Sequence, residues 1–287
     1  RALGGSDLMF LTAGSSCGIK GGLFALAGFQ GDVIALSPVH KAYFQAASLL
    51  NLTTLYLPQD AALAKAYLEA APSHFKPTVF YLTSPDYFGA VLDLPRWIKL
   101  IRQYYPAIEV LVDEAHGAHF PWLKDMPQAI HLGATLTIKS THKTLPAPTP
   151  SAIALAKPEG LIDKVREGVQ LFGTSSPPLA YAAAIDYALA YMEVAGEEEL
   201  ARLQRLWEAV LDALKPYHMM RYTKALVHSS IPPLAQDPTR LALDVSQYGS
   251  GFAAEKFLES QGIAVEMADP GRILLLSYIA QPEEEFE

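Results

Sequence analysis

Short, mostly apolar runs alternate with helix-periodic segments through the first half of the chain. The runs fall at residues 8–12, 33–36, 53–57, 78–82, 109–112, 134–138 and 151–155. Between them, residues 15–29, 41–50, 61–71 and 94–105 carry helical spacing, the last ended by Pro106. Strands that are apolar on both faces and separated by helices predict a buried, mostly parallel sheet. The expected class is therefore α/β, with seven strands sandwiched by helices.

From about residue 159 the pattern turns helical, with expected helices over 177–194 and 197–214. The second is amphipathic, with Leu200, Leu203, Leu206, Trp207, Val210, Leu211 and Leu214 near helical spacing. Beyond Pro216 an α+β pattern follows: strands at 239–245, 263–266 and 273–276, and a helix at 252–260 closed by Gly262. A boundary near residue 195 is expected, dividing a larger domain (1–195) from a smaller α+β domain (196–287), itself expected to be truncated. Residues 1–7 lack the basic-then-apolar pattern of a secretory leader, and no Met starts the chain. With the acidic end at 283–287, this reads as a fragment or processed product.

Composition narrows the classes. The chain has 287 residues, 51% hydrophobic and 18% charged, enough apolar material for a large core. A net charge of −8 without a basic cluster argues against nucleic acid as a partner. No run approaches the roughly 18 apolar residues of a membrane span. Cys17 is the single cysteine, so no internal disulfide or thiolate metal cluster forms, which suits a reducing cytoplasm. At a helix start Cys17 is either a thiol of lowered pKa or, the plainer reading, a small packed residue. His74, His131, His218 and His228 read as surface or packed histidines.

Three segments carry candidate chemistry. Thr12-Ala13-Gly14-Ser15-Ser16-Cys17-Gly18 follows a strand and opens a helix, where free N–H groups and hydroxyls favour an anion; a plain turn is the other reading. Asp113-Glu114-Ala115-His116-Gly117-Ala118-His119 ends a strand at the edge where α/β sheets bind ligands. It fits a metal set (Asp113, His116, His119), a carboxylate aimed at a cofactor nitrogen, or a structural cluster. Ser140-Thr141-His142-Lys143-Thr144 places a lysine after another strand, where burial would lower its pKa and make it an imine-forming amine. Together they supply phosphate donors, a carboxylate and an amine. That is the inventory a pyridoxal 5′-phosphate (PLP) site requires, the carboxylate keeping the ring nitrogen protonated.

The two later segments closely resemble signatures of the Orn/Lys/Arg decarboxylases, in their major PLP-binding domain. Ser37-Pro38-Val39-His40-Lys41, Thr83-Ser84-Pro85-Asp86-Tyr87-Phe88-Gly89 and Gly173-Thr174-Ser175-Ser176-Pro177 resemble further family segments in the same order. The resemblance implies the aspartate-aminotransferase-like fold and the decarboxylation of a basic amino acid (lysine, arginine or ornithine) to an amine and CO₂. Lys143 would carry the coenzyme as an imine. Asp113 would pair with the ring nitrogen and have a lowered pKa. His116 would lie beside the ring hydroxyl, and His40 would stack on the ring. Ser15, Ser16, Ser140 and His142 would hold the phosphate. Ser175 or Ser176 would reach it from the partner subunit of a homodimer or higher homo-oligomer. No metal is implied.

Two other readings stay open. An aminotransferase commonly carries an Arg just before a Leu-Ser-Tyr/Phe segment to clamp the substrate carboxylate. Here Leu275 stands at that place before Leu276-Ser277-Tyr278, and Arg272 is three residues too early. An inactive scaffold or regulator of the same fold is the other. The first turn departs from the family pattern in having Ala13 before Gly14, and Pro148-Thr149-Pro150 follows the lysine segment.

Overall fold

The computed structural model describes residues 7–217 and 230–286, so His218, His228 and most of the N-terminal segment read above lie outside the described residues. In chain order the first elements are β1 (Asp7–Leu11), α1 (Gly14–Ala27), β2 (Asp32–Leu36), α2 (Lys41–Leu50), β3 (Thr53–Leu57), α3 (Ala61–Glu69) and β4 (Val79–Thr83). The short β5 (Ala90–Val91), α4 (Leu94–Arg102), β6 (Glu109–Asp113), β7 (Leu136–Lys139), α5 (Thr141–Thr144), β8 (Ala152–Ala156) and α6 (Leu161–Phe172) follow. Seven strands build the central sheet in the order β1-β8-β7-β6-β4-β2-β3. Only β8 runs against the others, antiparallel to both β1 and β7. The α/β class with a mostly parallel seven-stranded sheet is what the apolar runs predict. The central strands are buried on both faces, with Val33, Ile34, Ala35, Val110, Leu111 and Val112 inaccessible to solvent.

Helix α1 crosses one face, pressed between the sheet and α6. Contact is close because glycines meet: a Cβ added at Gly168 would lie 2.7 Å from the Gly21 backbone. Cys17 packs at this junction, and burial pushes its thiol up, so it belongs to the core and not to a reactive site. The other face is covered by a cluster that includes Leu94, Trp97, Ile98 and Ile101 of α4.

A 36-residue helix, α7 (Leu179–Leu214), replaces the two helices expected over 177–194 and 197–214. The expected domain boundary near residue 195 falls inside it. Gly196, inside the helix, is a packing position: a Cβ there would come within 3.0 Å of Trp122. After it come β9 (Ala235–Gln236), β10 (Arg240–Asp244), α8 (Gly251–Ser260), β11 (Met267–Ala268) and β12 (Arg272–Leu276). Strands β10, β12 and β11 form a small antiparallel sheet. The strand expected at 263–266 is displaced. After Gly262 turns the chain, the run is exposed except for the half-buried Val265, and pairing in β11 begins at Met267 opposite Leu274.

Behind the carboxyl edge of the sheet, Lys139 and Glu114 form a fully buried ion pair at 2.9 Å, the lysine also donating to the Gly117 carbonyl. Burial pushes the Glu114 carboxyl up, and the ammonium opposes it. Removing one partner strands a charge in the core, which costs about 3–5 kcal/mol, whereas replacing both by apolar groups costs far less. Lys139→Met is therefore expected to lower the urea midpoint of unfolding strongly. The Lys139→Met, Glu114→Leu double variant should recover most of that loss. Equal midpoints for the single variant and the wild type would refute the assignment.

Candidate active site

The carboxyl ends of β2, β4 and β6, with α5 beyond β7, open onto one cavity of about 180 Å³. Its walls include Ser15, His40, Thr83, Asp86, Tyr87, Asp113, His116 and Lys143. Parallel strands bring their carboxyl ends to one edge, so residues distant in the chain converge there.

Asp113 is the last residue of β6 and is buried. Its Oδ1 accepts from the Ala115 amide at 3.1 Å, and its Oδ2 accepts from the Tyr81 hydroxyl at 3.1 Å. Burial pushes this carboxyl up in the protein itself, against the lowering by Lys143 and His40. The low pKa expected for Asp113 therefore depends on a cation that the protein chain does not itself supply. A carboxylate so desolvated calls for a cationic partner on its cavity side. Tyr81 is held well above the ordinary phenol range by burial and by the Asp113 charge, so it stays a donor.

Lys143 and His116 face each other across the cavity, with Nζ 3.1 Å from Nε2. Burial pushes Lys143 down, with Arg240 assisting and Asp113 opposing. His116 is driven to about 2 by burial and then by Arg240, whose Nη2 donates to its Nδ1. The ring meets Tyr87 edge-on at 5.4 Å. His40 caps α2, its Nδ1 accepting from Ala42 N–H at 3.2 Å, and burial lowers its pKa.

The phosphate donors lie at the start of α1. The residue before the helix is Ala13, which gives no side-chain cap, so the first N–H groups are not taken up by a capping side chain. Ser140 donates to Ser15 Oγ at 2.7 Å, which leaves the Ser15 hydrogen free to point outward. Uncapped amides, hydroxyls, an amine and a buried carboxylate match the donor set that PLP needs, so the residues present fit that group.

Some expected residues do not line the cavity. Ser16 sits within the first turn of α1. His142 turns its Nδ1 to the Ser151 backbone at 2.7 Å. Ser175 lines a separate cavity with Thr12 and Ala13, and Ser176 is exposed. The metal set also separates: His119 faces Asp237 at 3.2 Å, while His116 faces Arg240 and Lys143.

Other residues around the cavity escape the sequence reading. Arg240 is buried at the start of β10, with Nε 3.4 Å from Asp237. Asp237 also binds His119 and Thr239, and its carboxyl is held at about 2. Tyr87 donates to Glu266 at 2.6 Å. Asp86, fixed by the amides of Phe88 and Ala90, is pushed up to about 6 by burial. The available signal for Arg240 was an acid and a base three apart, Asp237 and Arg240, at the mouth of an apolar strand.

A family model described as Orn/Lys/Arg decarboxylase, major domain, matches residues 6–226. The chain is 29% identical over 288 residues to the uncharacterized protein YaaO of Bacillus subtilis, covering 95% of this chain and 58% of that one. It is 28% identical to an arginine decarboxylase of the same organism, covering 96% of this chain and 59% of that one. The chain thus spans about three-fifths of the length of these curated relatives. Among solved structures, the lysine decarboxylase LdcF of Francisella novicida superposes with a TM-score of 0.81 at 16% identity, over 98% of this chain and 47% of that one. At that identity the likeness shows the fold.

Proposed function

Since the chain belongs to the Orn/Lys/Arg decarboxylase family and PLP is its coenzyme, we propose that it removes the α-carboxylate of a basic amino acid, lysine, arginine or ornithine, as CO₂ and releases the amine. The observation that carries this reading is one cavity with Lys143 and Asp113 both on its walls. When bound, PLP supplies an aldehyde for imine chemistry and a ring that takes up the electron pair left as CO₂ departs.

The residues divide the work. Lys143 offers Nζ as the amine, its pKa pushed down by desolvation at the cavity wall. Asp113 holds a proton on the ring nitrogen, and the Ala115 amide and Tyr81 hydroxyl keep the carboxylate oriented. Ser15 and the first amides of α1 bind the phosphate, with Ser140 orienting Ser15. His40 and His116 bound the cavity, and His40 or Lys143 returns a proton to the substrate carbon. Ser16 and His142 take supporting places behind the phosphate site, and Ser175 or Ser176 contributes from a second copy in a homodimer. The acid Asp86 on the wall supports a cationic side chain in the substrate. Leu275, standing where an aminotransferase commonly carries its carboxylate-clamping arginine, supports the decarboxylase over the aminotransferase reading. Residues 1–195 would form the coenzyme-binding domain and 196–287 the smaller one. No helix among the described residues is long and apolar enough to cross a membrane.

Incubating the chain with PLP and each of the three amino acids, while measuring CO₂, amine and oxo acid, tests the proposal. Release of CO₂ and amine in equal amounts is expected from at least one of them. Oxo acid formed without CO₂ would establish the aminotransferase reading instead.

A further inference from the structure

His116 stands between two nitrogen groups, and the chemistry of one dictates the state of the other. Arg240 Nη2 abuts Nδ1, and Lys143 Nζ lies 3.1 Å from Nε2. A guanidinium has donors only, so the Nδ1 it contacts must be the nitrogen without a hydrogen. A neutral ring then carries its hydrogen on Nε2 and donates there. An ammonium has no lone pair to receive that hydrogen, so Nζ accepts it as a free amine. An imidazolium would turn an N–H toward Arg240 and break the first contact.

Arg240 is placed to enforce this. It is buried, its Nη1 donates to the Tyr87 carbonyl, and its Nε faces Asp237 Oδ2 at 3.4 Å. Asp237 is held in turn by His119 at 3.2 Å and by the Thr239 amide at 2.9 Å. The turn at Gly89 closes over the pair, where a Cβ would meet Arg240 Cδ at 2.9 Å.

We infer that Arg240 is a positioning residue: by occupying Nδ1 of His116 it fixes the ring as the Nε2–H tautomer and keeps Lys143 a free amine. The inference rests on the proposed role of Lys143 for its consequence, since imine formation needs an unprotonated amine. The charges around both groups agree with it. Lys143 faces Arg240, which disfavours its protonated form, and Asp113 and Glu266, which favour it, with burial the largest effect. His116 faces Arg240, Lys143 and His40, which disfavour its cation, and Asp237, which favours it.

Two measurements on the chain without coenzyme test this. Long-range ¹H–¹⁵N correlation at neutral pH, assigned against His116→Gln, reads the ring tautomer. The pH dependence of Lys143 acetylation by limiting acetic anhydride, read by peptide mass spectrometry, gives the fraction of free amine. The expected wild-type spectrum has Nδ1 bare and Nε2 protonated. In Arg240→Met the ring should acquire Nδ1–H, and the acetylation midpoint should rise by about one pH unit, a roughly tenfold loss of free amine at any pH well below both midpoints. Arg240→Lys, which keeps a cationic donor and a partner for Asp237, should retain the wild-type tautomer. A hydrogen on Nδ1 in the wild type overturns the inference whether or not any variant folds. An unchanged tautomer and midpoint in folded Arg240→Met would also overturn it. The expected tautomer without coenzyme uptake would count against the proposed function and leave this inference standing.

Discussion

Replacing Lys143 by alanine is expected to abolish the visible absorbance that the wild-type chain gains with PLP, and to reduce amine formation by about 10⁴-fold or more, the scale of losing a covalent catalytic group. Lys143 is the lysine on the cavity wall among the described residues. Its nearest rival in the sequence, Lys139, is fully buried and held at 2.9 Å by Glu114. Lys41 opens α2 and does not line the cavity. The phosphate donors at Ser15 and the start of α1 are untouched by the change, so the variant should still bind the coenzyme weakly in equilibrium dialysis, without the visible band. A band of wild-type intensity in Lys143→Ala would remove this residue from its role.

Asp113→Asn is expected to keep the band and lose about 10²–10⁴ in kcat. The amide fills the same space and keeps an acceptor for the Ala115 amide at Oδ1. It lacks the charge that holds a proton on a ring nitrogen. Stability without coenzyme should move the other way. Burial raises the Asp113 carboxyl above its ordinary value of 3.8, so folding takes up a proton and ionisation opposes folding. As pH rises from 3.8 through the raised folded value, the wild type should lose stability that the asparagine variant keeps. The variant should therefore unfold at higher urea near neutral pH and match the wild type below that window. Equal midpoints at every pH would show that the carboxyl is not desolvated as described.

Much of the fold was legible because burial on both faces removes polar residues from a strand altogether. Val33 to Leu36 and Val110 to Val112 announce themselves in this way. The direction of β8 was not legible: Ala152–Ala156 is equally apolar in either orientation, and only its partners decide it. Gly196 and Gly262 show the two meanings of glycine, the first a close approach inside α7 and the second a positive-φ turn before β11. In the site, Asp113 and Lys143 were readable because each follows a buried strand at the ligand-binding edge. Arg240 was not, because its contact with His116 spans 124 residues and is made by the small sheet. The neighbours Asp113 and Glu114 looked alike in sequence, yet the first ends β6 on the cavity wall and the second, just past the strand, turns to Lys139.

The measurement that bears most directly on the account is borohydride reduction of the chain with PLP, followed by digestion and peptide mass spectrometry. The reduced coenzyme should be found on the peptide containing Lys143, and in Asp113→Asn as well. Its recovery on Lys139, on Lys41 or on no lysine would contradict the assignment of this cavity as the coenzyme site.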